Sequence, residues 1–266
     1  MGEEAGGDEG VHVGGLGGEL EVGHGGGDLV DLFAGPAFEG GGLSCGMRAT
    51  DGAIDAITVD PDTLEPRFTT IGDAPPAGIC GSGIIDLVAA LFRARAINGR
   101  GRFVREHPRV RFDEDGMGAY IIAYGKDIGG ERDIAVTEAD IDSFIRAKGA
   151  VFSAAMNMLA AVGLDPSALE RVLVSGGIGS GIDMDNAVAV GMLPDIDRER
   201  FAYIGNTALA GARAMLTSDR AREKVHQIAA AMTYLELSTE PAYMDAFVAA
   251  CFLPHTDAEL FPSVEI

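Results

Sequence analysis

Tryptophan is absent, cysteine occurs three times, and no Lys or Arg precedes Arg48 in this chain of 266 residues. Cys45, Cys80 and Cys251 are odd in number and far apart, which provides neither a disulfide framework nor a zinc or ferredoxin ligand set; no metal centre is expected from this chain alone. No run of eighteen apolar residues is present to span a bilayer. The first thirty residues lack the basic region, apolar core and cleavage site of a secretory signal, so a cytoplasmic location is expected. Basic side chains are also scarce, 20 against 41 acids, and the formal charge of −21 repels a phosphate backbone and an anionic lipid surface alike. Nucleic acid and membrane are therefore not expected as partners.

What remains is an ordinary soluble composition, 47% hydrophobic and 23% charged, with one outlier: 38 glycines. Twelve of them fall in the first thirty residues, where acids are scattered and neither helical nor strand period is legible. Residues 1–33 read as a disordered acidic leader or as an upstream stretch translated out of frame. From Ala34 the pattern becomes that of a mixed α/β domain. Strands are expected at 53–59 and 67–71, then a helix over 84–97 closed by Asn98-Gly99. Extended segments at 109–112, 119–124 and 134–136, separated by Asp/Gly turns, predict a small antiparallel insertion. Thr137-Glu138-Ala139-Asp140 is a variant capping box that opens a long helix to about 162, stopped by Gly163. A strand at 172–174, a helix at 184–191, a strand at 201–204 and a helix at 208–216 follow. Helices at 218–233 and 241–252, joined by a strand at 234–237, complete the pattern.

Two glycine turns are the candidate ligand-binding elements. Val172-Leu173-Val174 runs directly into Ser175-Gly176-Gly177-Ile178-Gly179. A strand ending in paired glycines lets backbone approach a flat or anionic ligand, and the next helix aims free N–H groups at it. The same residues could equally close a tight connection and nothing more. Gly78-Ile79-Cys80-Gly81-Ser82-Gly83 has the same form, with Ser82 as a hydroxyl donor. Cys80 lies where a helix dipole could lower its pKa, but without a His nearby it reads better as a small buried residue. Asp86 reads as a favourable acid in a helix's first turn.

Lys148 falls within the apolar stripe of the long helix (Ile141, Phe144, Ile145, Val151, Phe152, Ala155, Leu159). There it must meet an anion or snorkel to solvent, whereas Arg146 points elsewhere and is solvated. Glu39, beside Gly40-Gly41-Gly42, is an acid on a flexible loop, either catalytic or simply solvated. His107, His226 and His255 lack partners in register and read as structural or surface residues. The stripe Met244, Phe247, Val248, Phe252 reads as core.

In this order the turns resemble the ATPase fold shared by actin, sugar kinases and Hsp70. More closely, residues 34–264 resemble the C-terminal domain of the reductive activators of corrinoid proteins. The resemblance rests on Ala34-Gly35-Pro36-Ala37-Phe38-Glu39-Gly40-Gly41, Ser44-Cys45-Gly46-Met47-Arg48, Gly78-Ile79-Cys80-Gly81-Ser82-Gly83-Ile84-Ile85-Asp86, Ser175-Gly176-Gly177-Ile178-Gly179, Gly205-Asn206-Thr207, and Leu237-Ser238-Thr239 with Phe252-Leu253-Pro254-His255-Thr256. It implies an α/β, actin/Hsp70-like (ribonuclease H-like) lobe: a nucleotide-binding domain at 34–216 with an insertion at about 98–137, and a helical extension at 217–266 packed on it. It further implies that Gly176, Gly177 and Gly179 line an adenosine pocket, that Gly81, Ser82 and Gly83 lie along the nucleotide cleft, and that Lys148 resembles a helix lysine that touches the nucleotide.

The family's task is the ATP-coupled reduction of cobalt(II) to cobalt(I) in a corrinoid protein, with a [2Fe-2S] cluster as donor. Corrinoid proteins or corrinoid methyltransferases are the implied partners, and a homodimer is a further option to be weighed. This sequence departs from the pattern in having no Asp-Xaa-Gly-Thr phosphate hairpin for Mg²⁺ and triphosphate, and no cysteine-rich domain. The second such hairpin is expected immediately before Ala34, where the glycine-rich leader stands. A truncated lobe with weak or lost ATP binding is expected, without the cluster. A non-catalytic dimerisation or docking module and a small-molecule kinase of the same fold stand as alternatives.

Overall fold

The computed structural model describes residues 12–14, 20–23, 31–32, 42–176, 181–232, 235–237 and 242–265. The chain divides into two units, one made of Met1–Phe33, Met156–Ser180 and Ile196–Glu236, the other of Ala34–Ala155, Gly181–Asp195 and Leu237–Ile266. The expected boundary at 216/217 therefore differs from the division found: 217–236 group with the first unit and 237–266 with the second.

The first unit is built on a sheet of strands β1 (His12–Gly14), β2 (Leu20–Gly23), β3 (Asp31–Leu32), β10 (Arg171–Val174) and β11 (Phe201–Tyr203), in the order β11-β10-β1-β2-β3. β10 runs parallel to β11 and to β1, while β2 is antiparallel to both of its neighbours. The described parts of the leader are thus strands, where neither helical nor strand period could be read. The reason is physical: ladder bonds join backbone groups, so short glycine-rich strands pair without the side-chain alternation from which strands are inferred. Helices α5 (Thr207–Thr217) and α6 (Asp219–Ala231) follow β11, each opened by a side-chain cap: Asn206 accepts from the Leu209 N–H and Ser218 from the Ala221 N–H. Neither helix has a buried residue.

The second unit packs helix α1 (Gly81–Arg93) on strand β4 (Ala53–Val59), which lies between β5 (Pro66–Thr70) and β6 (Gly78–Ile79). Eleven of the thirteen α1 residues are buried, so the helix is wrapped on nearly every face. Gly83 makes this approach possible: a Cβ there would lie 2.4 Å from the Ile54 carbonyl oxygen and 2.8 Å from the Ile79 side chain. The helix starts three residues earlier than its apolar period predicts and ends before Asn98-Gly99, at Arg93, with Arg95 in the left-handed region. Strands β7 (Val110–Phe112), β8 (Gly118–Ala123) and β9 (Ile134–Thr137) form the expected antiparallel insertion, with a single helical turn α2 (Gly125–Ile128) between the last two.

Helix α3 (Glu138–Ala161) opens on the expected capping box. The Thr137 N–H donates to Asp140 Oδ2 at 2.8 Å, and the Thr137 hydroxyl accepts from the Asp140 N–H at 3.2 Å. Helices α4 (Met184–Ala189) and α7 (Tyr243–Ala250) complete the unit. The strand expected at 234–237 is not found at 235–237, and Tyr234 lies outside the described residues.

Because the atom opposing Gly83 is strand backbone, an added methyl cannot be relieved by a rotamer change. Gly83→Ala is expected to lower stability by about 1–3 kcal/mol, read as a lower midpoint in urea unfolding with an unchanged slope.

Candidate functional site

In the first unit, two parallel strands end in glycine turns that are bonded to each other. β10 passes through Ser175 to Gly176, whose φ of 97° belongs to the left-handed region. The Gly176 N–H donates to the Gly205 carbonyl at 2.9 Å, and the Gly176 carbonyl accepts from the Tyr203 hydroxyl at 2.9 Å. Gly205, at the end of β11, also has positive φ (81°), and among the described residues nothing lies within 4 Å of where its Cβ would stand. Immediately beyond it Asn206 caps α5. A helix N-terminus and two bare backbone turns therefore meet at the carboxyl ends of parallel strands, the position at which open α/β sheets take their ligands. Gly177 and Gly179 lie outside the described residues. Gly205, Asn206 and Tyr203 were not among the expected site residues; Gly205-Asn206-Thr207 is visible in the sequence, but its link to Gly176 depends on the parallel pairing of β10 with β11, which local pattern does not report.

The second glycine element is not an open turn. Gly81, Ser82 and Gly83 form the buried first turn of α1. The Ser82 hydroxyl, expected to face a nucleotide, donates instead to the Asp55 carbonyl at 2.7 Å. Gly83 serves the contact with β4 described above. Cys80 is a small buried residue whose thiol reaches the Ile54 carbonyl. Asp86 is not the first-turn acid it was expected to be, because α1 begins at Gly81; it accepts from Asn186 Nδ2 at 2.7 Å and from the Ile57 N–H at 3.3 Å, tying α1 to α4 and β4. Burial raises its pKa, with Asn186 acting in the opposite sense.

Lys148 does not snorkel. The apolar stripe is buried as expected, but the ammonium does not reach solvent: Lys148 is 0% exposed and donates to the carbonyls of Phe252 and Pro254, the latter at 2.6 Å. Its hydrogen bonds go to the chain's own backbone. Burial pushes its pKa down from 10.5 to about 7, while Cys251 acts against that shift. Arg146 is solvated and paired with Asp142 at 2.7 Å.

Glu39 lies outside the described residues. His226 is exposed. His107 accepts from the Arg109 N–H, and His255 packs among Phe152 and Phe261 with its pKa lowered, chiefly by burial. The expected core stripe of α7 is not core: Met244 is 60% and Val248 57% exposed. The reason is that the helix turns Ala250 rather than this stripe inward.

Residues 32–265 match the family model described as the C-terminal domain of RACo, the ASKHA domain. The chain is 34% identical over 229 residues to the corrinoid activation enzyme RamQ of Eubacterium limosum, spanning 83% of this chain and 38% of that protein. It is 26% identical over 239 residues to a [Co(II) methylated amine-specific corrinoid protein] reductase of Methanosarcina barkeri, spanning 81% of this chain and 40% of the relative. The solved structure of a reductive activator for corrinoid, iron-sulfur protein superposes with a TM-score of 0.88 at 44% identity, covering 97% of this chain and 42% of that one. The chain thus spans about two fifths of the length of the relatives it matches.

Replacing Lys148 by Met keeps the aliphatic stem and leaves two carbonyls without their donor, a loss of about 2–5 kcal/mol. Between pH 7 and 10.5 the folded lysine binds fewer protons than the unfolded one, so its contribution to stability grows with pH across that window. Denaturant unfolding at pH 7 and pH 9.5 is expected to show a wider gap between wild type and Lys148→Met at the higher pH.

Proposed function

Because this chain belongs to the family of RACo C-terminal ASKHA domains, we propose that it is the nucleotide-binding lobe of an ATP-dependent reductive activator that returns cobalt in a corrinoid protein from cobalt(II) to cobalt(I). The observation that carries the reading is the joined pair of turns at Gly176 and Gly205, with the N-terminus of α5 beside them. Adenosine packs on the turn at Gly176, where no Cβ intrudes, and the α5 N-terminus faces negative charge on the ligand. Bound ATP supplies the free energy of an uphill electron transfer, while this lobe's own task is to bind, orient and exclude water.

The phosphate grip is weak. The leader, at whose end before Ala34 a phosphate hairpin is expected, contributes the antiparallel pair β1 and β2, yet residues 12–23 contain no Asp, Ser or Thr to organise Mg²⁺. Residues for a [2Fe-2S] cluster do not fit either: the cysteines are Cys45, Cys80 and Cys251, and among the described residues no His, Cys, Asp and Glu side chains gather as a metal ligand set. The electron is therefore assigned to a donor other than this lobe. A corrinoid protein or its methyltransferase is the partner, in the cytoplasm.

A second reading, a docking module without nucleotide turnover, is favoured by the exposed apolar face of α7 at Met244 and Val248. Isothermal titration separates the two. Mg-ATP and Mg-ADP are expected to bind saturably but more weakly than about 1 μM, roughly −8 kcal/mol, with little difference between them. No heat from either nucleotide, together with a stoichiometric complex with a corrinoid protein in sedimentation, would leave only the docking module.

A further inference from the structure

In a chain that carries twice as many acids as bases, one cleft of the second unit reverses the sign. It has a volume of about 340 Å³ and is lined by Arg100, Arg102, Arg146, Asp142, Cys251 and Phe252, with Ile145 adding to its apolar wall. It shares no residue with the glycine turns. Two of its guanidiniums have carboxylate partners: Arg146 meets Asp142 at 2.7 Å across one helical turn, and Arg102 meets Glu138 at 2.7 Å. Arg100 has no ion pair among the described residues. Its guanidinium lies 5.4 Å over the centroid of the Phe252 ring, and its backbone N–H, like that of Arg102, donates to Asn98 Oδ1 (2.9 and 3.1 Å). Behind Cys251 and Phe252 sits the buried Lys148 side chain, which donates to the carbonyls of Phe252 and Pro254.

The cleft therefore holds a surplus of cation, one planar fork already positioned on an aromatic ring, and an apolar wall. A guanidinium fork matches the geometry of a phosphate or carboxylate. The volume falls in the range of small-molecule sites and is large for an inorganic ion. We propose that this cleft binds a small organic oxyanion, its phosphate or carboxylate held by Arg100 and Arg146 and its apolar part laid against Phe252 and Ile145. Binding draws Arg146 from Asp142 toward the ligand, and the cationic surroundings of Lys148 gain a counter-ion.

Titration of the intact chain with inorganic pyrophosphate and, separately, with citrate tests the proposal and distinguishes the two oxyanions. At least one is expected to bind saturably at about 1 mM or tighter, and Arg100→Ala, a change at an exposed residue, is expected to weaken it about tenfold. Pyrophosphate alone assigns a phosphate ligand, and citrate alone a carboxylate. Saturation by neither, or an affinity indifferent to Arg100, overturns the site. Cys251 provides a second readout that needs no variant: its labelling, followed by peptide mass spectrometry, is expected to be faster with an anionic methanethiosulfonate than with a cationic one, and to be slowed by the bound oxyanion. Equal rates for the two reagents would refute the positive field on which the proposal stands.

Discussion

The second unit closes on a strap of backbone, residues 250–254, wedged against three other segments by groups that yield no space. Lys148 bonds the carbonyls of Phe252 and Pro254. Next to it, a side chain at Gly149 would begin 3.2 Å from the Ala250 carbonyl oxygen and the Cys251 sulfur, and one at Gly191 would begin 1.9 Å from the Pro254 carbonyl oxygen. The Leu253 N–H donates to the Gly99 carbonyl at 2.8 Å. Backbone is polar, so a strap can be buried only if its carbonyls and amides are bonded. A lysine in an apolar stripe is how this fold meets that condition, and the cleft containing Cys251 and Phe252 is formed by the same arrangement.

Much of the second unit could be read from its residues because the signals there are local. Period-two alternation located β4, Asp/Gly punctuation located the insertion strands, and the Thr137–Asp140 box located the start of α3 to the residue. What failed was non-local. The strands of the leader are held by partners rather than by their own side chains, so a glycine-rich stretch with no period became part of a five-stranded sheet. The α7 stripe has the spacing of a core face, but spacing says only that apolar residues share a side, not that another element covers it.

The site was legible in part, and the difference between its two glycine elements explains why. Both have the form strand, glycine, helix. At Gly176 the glycine is required by a positive φ at the end of a parallel strand; at Gly83 it is required by the closeness of a neighbouring strand. The sequence pattern for an approaching ligand and for an approaching backbone is the same, since each demands a missing Cβ. Lys148 carries a similar ambiguity: an amine in an apolar stripe requires an oxygen partner, and the sequence does not say that the main-chain carbonyls of Phe252 and Pro254 supply it.

The distance along the chain between Lys148 and its two acceptors, 104 and 106 residues, bears on how such a lobe is made in a cell. On the ribosome, α3 emerges well before the segment that neutralises the cost of its lysine, and Gly191 also precedes the strap it accommodates. Until those later residues leave the exit tunnel, the apolar face of α3 and the ammonium within it stay in water, where the amine is best solvated. The contacts that bury this lysine are therefore complete only when synthesis has passed Pro254.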